Sequence, residues 1–162
     1  ALLHDVGKIA LPDGILKKSG ALNREELAFV AQHPAQGVAI LQSIGSLDQE
    51  LLYVLHHHEW HNGSGYPHGL AGQSIPLGAK FVQTADCVDA MLSPRSYKEA
   101  MTIDQVMLEL QRCRGVQFDP DLADLATDEL TEITGQTPEE ATRLIMLARA
   151  HWFTGDEAQA SS

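Results

Sequence analysis

Residues 51–67 read LLYVLHHHEWHNGSGYP, an apolar helical run that ends in three histidines and a glutamate and then breaks into glycines and a proline. Leu51, Leu52, Val54 and Leu55 have helical spacing. Adjacent helical residues point about 100° apart, so His57 and His58 converge on one ion only near a frayed or distorted helix end. The glycines that follow Trp60 supply such an end. Alone, His56, His57 and His58 also read as cations favoured by the negative end of a helix dipole, and His56 and His61 keep that reading.

Working outward, helix signals recur and strand alternation is almost absent. Asn23 with Glu26 has the form of a capping box opening a helix through Leu27 and Val30, and Pro34 restarts a helix carrying Val38, Ile40, Leu41 and Ile44. Gly63, Gly65, Gly69 and Gly72 with Pro67 predict one long irregular loop from Trp60 to Ser74. Pro76 suits a first helical turn, and Leu77 to Leu92 places Phe81, Ala85, Val88 and Leu92 on one face. Thr102 with Gln105 caps a helix ending at Gly115. Asp119-Pro120 starts another, and Thr137-Pro138-Glu139-Glu140 opens a last helix to Ala150. The prediction is an all-α bundle interrupted by a long glycine-rich loop.

The chain has 162 residues, 44% of them apolar, enough for one compact core. Its formal charge of −11 disfavours a polymeric nucleic-acid partner, so a phosphate ligand must be captured by local cations. No apolar run reaches the roughly 18 residues of a membrane span, and no signal sequence opens the chain, so a cytoplasmic setting is expected. Cys87 and Cys113 lack paired spacing and read as reduced and buried. The apolar Ala1-Leu2-Leu3 reads as part of a helix running into His4, with further chain upstream.

His4-Asp5 followed by Gly7-Lys8 brings an imidazole, a carboxylate and an ammonium within about one turn. An isolated pair of this kind reads better as a surface Asp5–Lys8 ion pair. His33 and Asp86 lie on separate predicted helices. Asp86 interrupts an apolar face, where a carboxylate needs a cation, and Asp89 reads as a supporting or capping group.

Taken in order, these blocks resemble the HD-GYP family of the HD superfamily of metal-dependent phosphohydrolases, over roughly residues 1–125. His4-Asp5-Val6-Gly7-Lys8-Ile9 is similar to the HD-x-GK-I signature, and His33 with Gly37 to the isolated metal histidine. His57-His58-Glu59 with Asn62-Gly63-Ser64-Gly65-Tyr66-Pro67 resembles the HHE and GYP elements. Ala85-Asp86 with Arg95 and Lys98, and Phe118-Asp119-Pro120, look like the later blocks. The resemblance implies an HD-domain helical bundle with a binuclear, or trinuclear, iron or manganese centre that hydrolyses cyclic di-GMP to pGpG or GMP. His4, Asp5, His33, His57, His58 and Asp86 become the implied metal ligands, with Asp5 bridging. Asp5 and Lys8 become the catalytic residues, and Lys8, Tyr66, Pro67, Arg95 and Lys98 the substrate-binding set.

The family's first ligand lies on an upstream helix, so a histidine before Ala1 is expected, along with a fused sensory or receiver domain. Protein partners at the loop and a homodimer are further expectations. Asn62 stands where the family commonly has aspartate, and Trp60 lies one place earlier than usual. A signalling module that binds without turnover is one rival reading. An HD hydrolase for another cyclic dinucleotide or nucleotide is the other. The divisions expected are 1–125 catalytic, 126–155 a helical extension on the same domain, and 156–162 a disordered tail.

Overall fold

The computed structural model describes residues 2–18, 20–45, 47–94 and 99–132. Arg95 and Lys98, the helix expected from Pro138 to Ala150 and the tail at 156–162 lie outside these described residues. The described chain is helical, with α1 (Asp13–Leu16), α2 (Arg24–Val30), α3 (His33–Leu41), α4 (Asp48–His56), α5 (Leu77–Leu92), α6 (Ile103–Arg112) and α7 (Pro120–Glu132). Three 3-10 turns join them at Val6–Ala10, Gln42–Ile44 and Gly72–Ser74. Among the described residues there is no strand, only isolated bridges pairing Asn62 with Ala71 and Arg114 with Phe118. No described helix is long and apolar enough to cross a membrane.

Local chemistry sets the helix starts. Asn23 accepts the Glu26 amide at 2.9 Å while Glu26 accepts the Asn23 amide at 2.8 Å, a closed capping box. Thr102 and Gln105 form the same box at α6. Asp119 accepts the Asp121 amide at 3.1 Å at the start of α7. The helix expected to end at Gly115 stops at Arg112 instead. There the Cys113 carbonyl accepts the amides of Val116, Gln117 and Phe118, and Gly115 takes a positive φ of 72° to make the turn.

The main core is built by α5, α6 and α7 from Val88, Val106, Leu110, Phe118, Ala123 and Leu130. α7 runs without a break through residue 125, and Leu130 belongs to that same core. Cys87 and Cys113 are free thiols but only half-buried at its edge, correcting the expectation of full burial. Burial pushes the Cys87 thiol up to about 12, so it stays protonated. A second layer of α3 and α4 packs against α5 on one side and the Val6–Ala10 turn on the other.

That N-terminal segment departs from expectation. Residues 2–5 are turns and Val6–Ala10 is a 3-10 turn, so His4 and Asp5 do not sit on an α-helix. The reason is long-range. A Cβ on Gly7 would overlap the His33 carbonyl and the Gly37 amide, both backbone, so this segment is pressed directly onto α3. The tight approach brings Asp5 to His33.

Candidate metal centre

Four chain segments converge here: the turn carrying His4 and Asp5, the first residue of α3 (His33), the end of α4 (His57 and His58), and the middle of α5 (Asp86). α4 stops at His56, and the chain leaves helical geometry so that His57 and His58 turn toward one place. Their rings stand 4.0 Å apart between centroids.

His33 and His57 are fully buried and held in the same way. Each places Nδ1 2.7 Å from a carbonyl three residues back, Val30 for His33 and Val54 for His57. A carbonyl can only accept, so each Nδ1 carries the proton and each Nε2 presents a lone pair. These two Nε2 atoms face one another at 3.4 Å. Both also approach Asp5 Oδ1, at 3.2 Å from His33 and 3.8 Å from His57. Two lone pairs and a carboxylate oxygen at such spacing suit a shared positive centre.

The other Asp5 oxygen, Oδ2, lies 2.5 Å from Lys8 Nζ and 3.5 Å from His4 Nε2. His4 Nε2 in turn lies 3.3 Å from Asp86 Oδ1. Asp5, His33, His57 and His58 therefore form one group of potential ligands, and His4, Asp5 and Asp86 a second, with Asp5 common to both. Imidazole and carboxylate without thiolate suit a first-row divalent metal, so the donor set fits the ion that an HD domain implies.

The protonation states agree with this fit. Burial alone raises the Asp5 carboxyl, but the polar groups beside it, His33, His57 and the Lys8 ammonium, outweigh it and hold Asp5 far below the usual carboxylate range. Asp86 is held low by its hydrogen bond to His4. Burial and the neighbouring imidazoles push His58 down to about 3, and burial also lowers His57. Both stay neutral, the form that binds metal. Tyr66 stacks on His58 at 4.8 Å and 25°, and burial with the nearby Asp5 and Asp86 raises its hydroxyl.

The structure thus brings together His4, Asp5, Lys8, His33, His57, His58, Asp86 and Tyr66. Pro67 follows Tyr66 through a cis peptide and is exposed. Asp89 is exposed, and its carbonyl accepts the Ser93 amide. Glu59, written beside His57 and His58 in the chain, turns away from them. Its buried carboxylate accepts the His68 amide at 2.8 Å and the Leu70 amide at 3.0 Å, fastening the loop beneath the centre. His61 places its Nδ1 3.6 Å from Asp119.

Sequence reasoning missed three supports of the loop. Gln83 on α5 donates to the Glu59 carbonyl, and Lys80 meets Asp119 at 2.9 Å where both are buried. The His61 and Asn62 amides bond the carbonyls of Gln117 and Val116, each at 3.0 Å. A lysine among the apolar residues that open α5, Leu77 to Val82, was the one available signal. Gly65 is also fixed by contact, since a Cβ there would overlap the Trp60 amide and the His58 carbonyl.

Comparison with known proteins agrees with this geometry. A family model described as HD domain matches residues 1–122. The cyclic di-GMP phosphodiesterase response regulator RpfG of Xanthomonas campestris pv. campestris (strain 8004) is 44% identical over 143 residues, covering 84% of this chain and 37% of that protein. A 3'3'-cGAMP-specific phosphodiesterase 2 of Vibrio cholerae serotype O1 is 38% identical, covering 85% of this chain and 27% of that protein. A cyclic di-GMP phosphodiesterase of Thermotoga maritima is 36% identical, covering 88% and 40%. The chain spans two fifths or less of the length of these relatives. With the match running from its first residue through the start of α7, this chain belongs to the HD domain family, in keeping with the HD-GYP resemblance of its motifs.

Proposed function

We propose that this domain is a metal-dependent phosphodiesterase that hydrolyses cyclic di-GMP to pGpG or GMP. The observation that carries it is the pair of opposed Nε2 lone pairs, 3.4 Å apart, both directed at the Asp5 carboxylate. The names of the relatives from Xanthomonas and Thermotoga support the substrate. His33, His57 and His58 with Asp5 would hold one ion of iron or manganese, and His4 and Asp86 would hold a second together with Asp5. A bound metal of this kind supplies Lewis acidity and lowers the pKa of water from about 15.7 toward about 7.

The chain's own groups do the rest. The Nδ1 hydrogen bonds of His33 and His57 pre-orient both imidazoles, so neither ring must reorganise on binding. Lys8, Arg95 and Lys98 offset phosphate charge within a domain of net charge −11. Tyr66 and Pro67 form the loop wall over His58 and limit water there. Water adds across one P–O3′ bond, leaving a 5′-phosphate and a 3′-hydroxyl on the linear product. The length of the relatives and the response-regulator name support a domain that works inside a longer cytoplasmic signalling protein, fused to a receiver or sensory module.

The test loads the intact protein with iron or manganese and compares cyclic di-GMP with 3'3'-cGAMP. Turnover of cyclic di-GMP that disappears, together with metal, in Asp5→Ala is the expected result. Full activity in Asp5→Ala refutes the reading, and exclusive turnover of 3'3'-cGAMP refutes the substrate.

A further inference from the structure

A second cluster of donors lies on the other side of the histidine run and shares no residue with the centre above. His56 ends α4, and its side chain is only 9% exposed. Its Nδ1 is buried and has no hydrogen-bond partner. It points at Glu59 Oε1, 3.5 Å away. The exposed His68 stands across from it, with ring centroids 5.3 Å apart. One donor atom from each of His56, Glu59 and His68 falls within 4.8 Å of the other two.

We propose that His56, Glu59 and His68 form a separate binding site for a divalent transition-metal cation of the zinc class, which clasps the end of α4 to the loop behind Tyr66. The spacing suits one ion, since donors on a tetrahedral centre with bonds of about 2.0–2.1 Å stand about 3.4 Å apart. The donor set of two imidazoles and one carboxylate is that of open zinc sites, which keep a fourth position for water. His68 at the surface leaves that position accessible.

An ordinary packing role explains the cluster less well. Glu59 already accepts two amides, and a carboxylate has lone pairs to spare for a cation as well. His56 Nδ1, in contrast, gains nothing from the fold, and a buried orphan nitrogen is costly. A cation there satisfies it. Because the His68 amide and side chain are then both fixed to Glu59, the site holds the stretch from Tyr66 to Leu70 in place.

The test uses Zn2+ and Co2+ alone as probes on the intact protein, with bound metal counted after dialysis. The expected result is that His68→Ala, a change at an exposed position, binds about one equivalent less than wild type and that His68→Asp restores it. Zinc should also slow amide hydrogen exchange in residues 66–70 by about tenfold in wild type and not in His68→Ala. In Asp5→Ala, which dismantles the first centre, the equivalent that depends on His68 should persist. Equal metal content in wild type and His68→Ala overturns the proposal. So does a His68-dependent equivalent that vanishes in Asp5→Ala, because that ion then belongs to the first centre.

Discussion

Replacing Gly7 by alanine tests the link between packing and the metal centre. The added methyl would lie inside van der Waals contact of the His33 carbonyl and the Gly37 amide, and both obstacles are backbone. Neither can rotate away, so the Val6–Ala10 turn must lift from α3. Overpacking of this kind costs about 1–3 kcal/mol, and a rigid obstacle favours the upper end. For a domain of this size, about 3 kcal/mol lowers the melting temperature by roughly 6–12 °C. The same displacement carries Asp5 away from His33, now 3.2 Å distant, and should weaken metal binding by about 10- to 100-fold, as loss of a ligand's support does. Thermal unfolding with and without manganese measures both effects. Gly14→Ala is the control: an added Cβ there meets nothing within 4 Å, so the change should be neutral or stabilise by up to about 1 kcal/mol. A Gly7→Ala protein that melts with wild type and binds manganese equally well would refute the reasoning.

Other outcomes follow from the same geometry. In metal-free protein, His57 and His58 titrate below their unfolded value of 6.5, so between 6.5 and the folded value, about 3 for His58, the unfolded chain binds more protons. Stability therefore falls as pH drops through that window, by about 1.4 kcal/mol per pH unit for each such proton. His58→Asn should flatten the slope by about one proton in urea unfolding at pH 6.5, 5.5 and 4.5, and an unchanged slope would contradict the assignment. Lys80→Met leaves Asp119 buried without its ammonium and should cost about 3 kcal/mol in chemical denaturation. Adding Asp119→Leu should recover much of that loss, and a fully additive double variant would argue against a coupled pair. Tyr66→Ala removes the ring stacked on His58 and should raise KM more than it lowers kcat, which steady-state kinetics on cyclic di-GMP separates.

What could be read before folding was what local chemistry determines. The capping boxes at Asn23 and Thr102 involve residues three apart, so type and spacing suffice. The convergence of His57 and His58 was legible because the glycines after Trp60 mark where the helix must end. Three features were not legible, each for a physical reason. The N-terminal turn looked helical because its apolar residues suit a helix, while the contact that forbids one comes from α3. Glu59 was written next to two candidate ligands, yet the amides of His68 and Leu70 claimed it, a pairing that depends on how the loop returns. Lys80 and Asp119 are 39 residues apart, and no local pattern pairs them.

The 2.5 Å contact between Lys8 and Asp5 has a consequence for the order of events. Paired this closely, the ammonium is spent neutralising the carboxylate and has little charge to offer an incoming ester. A metal ion held by Asp5 would compete with the lysine for that carboxylate and free the ammonium to face outward. Ion uptake would then ready the lysine for an anionic ligand.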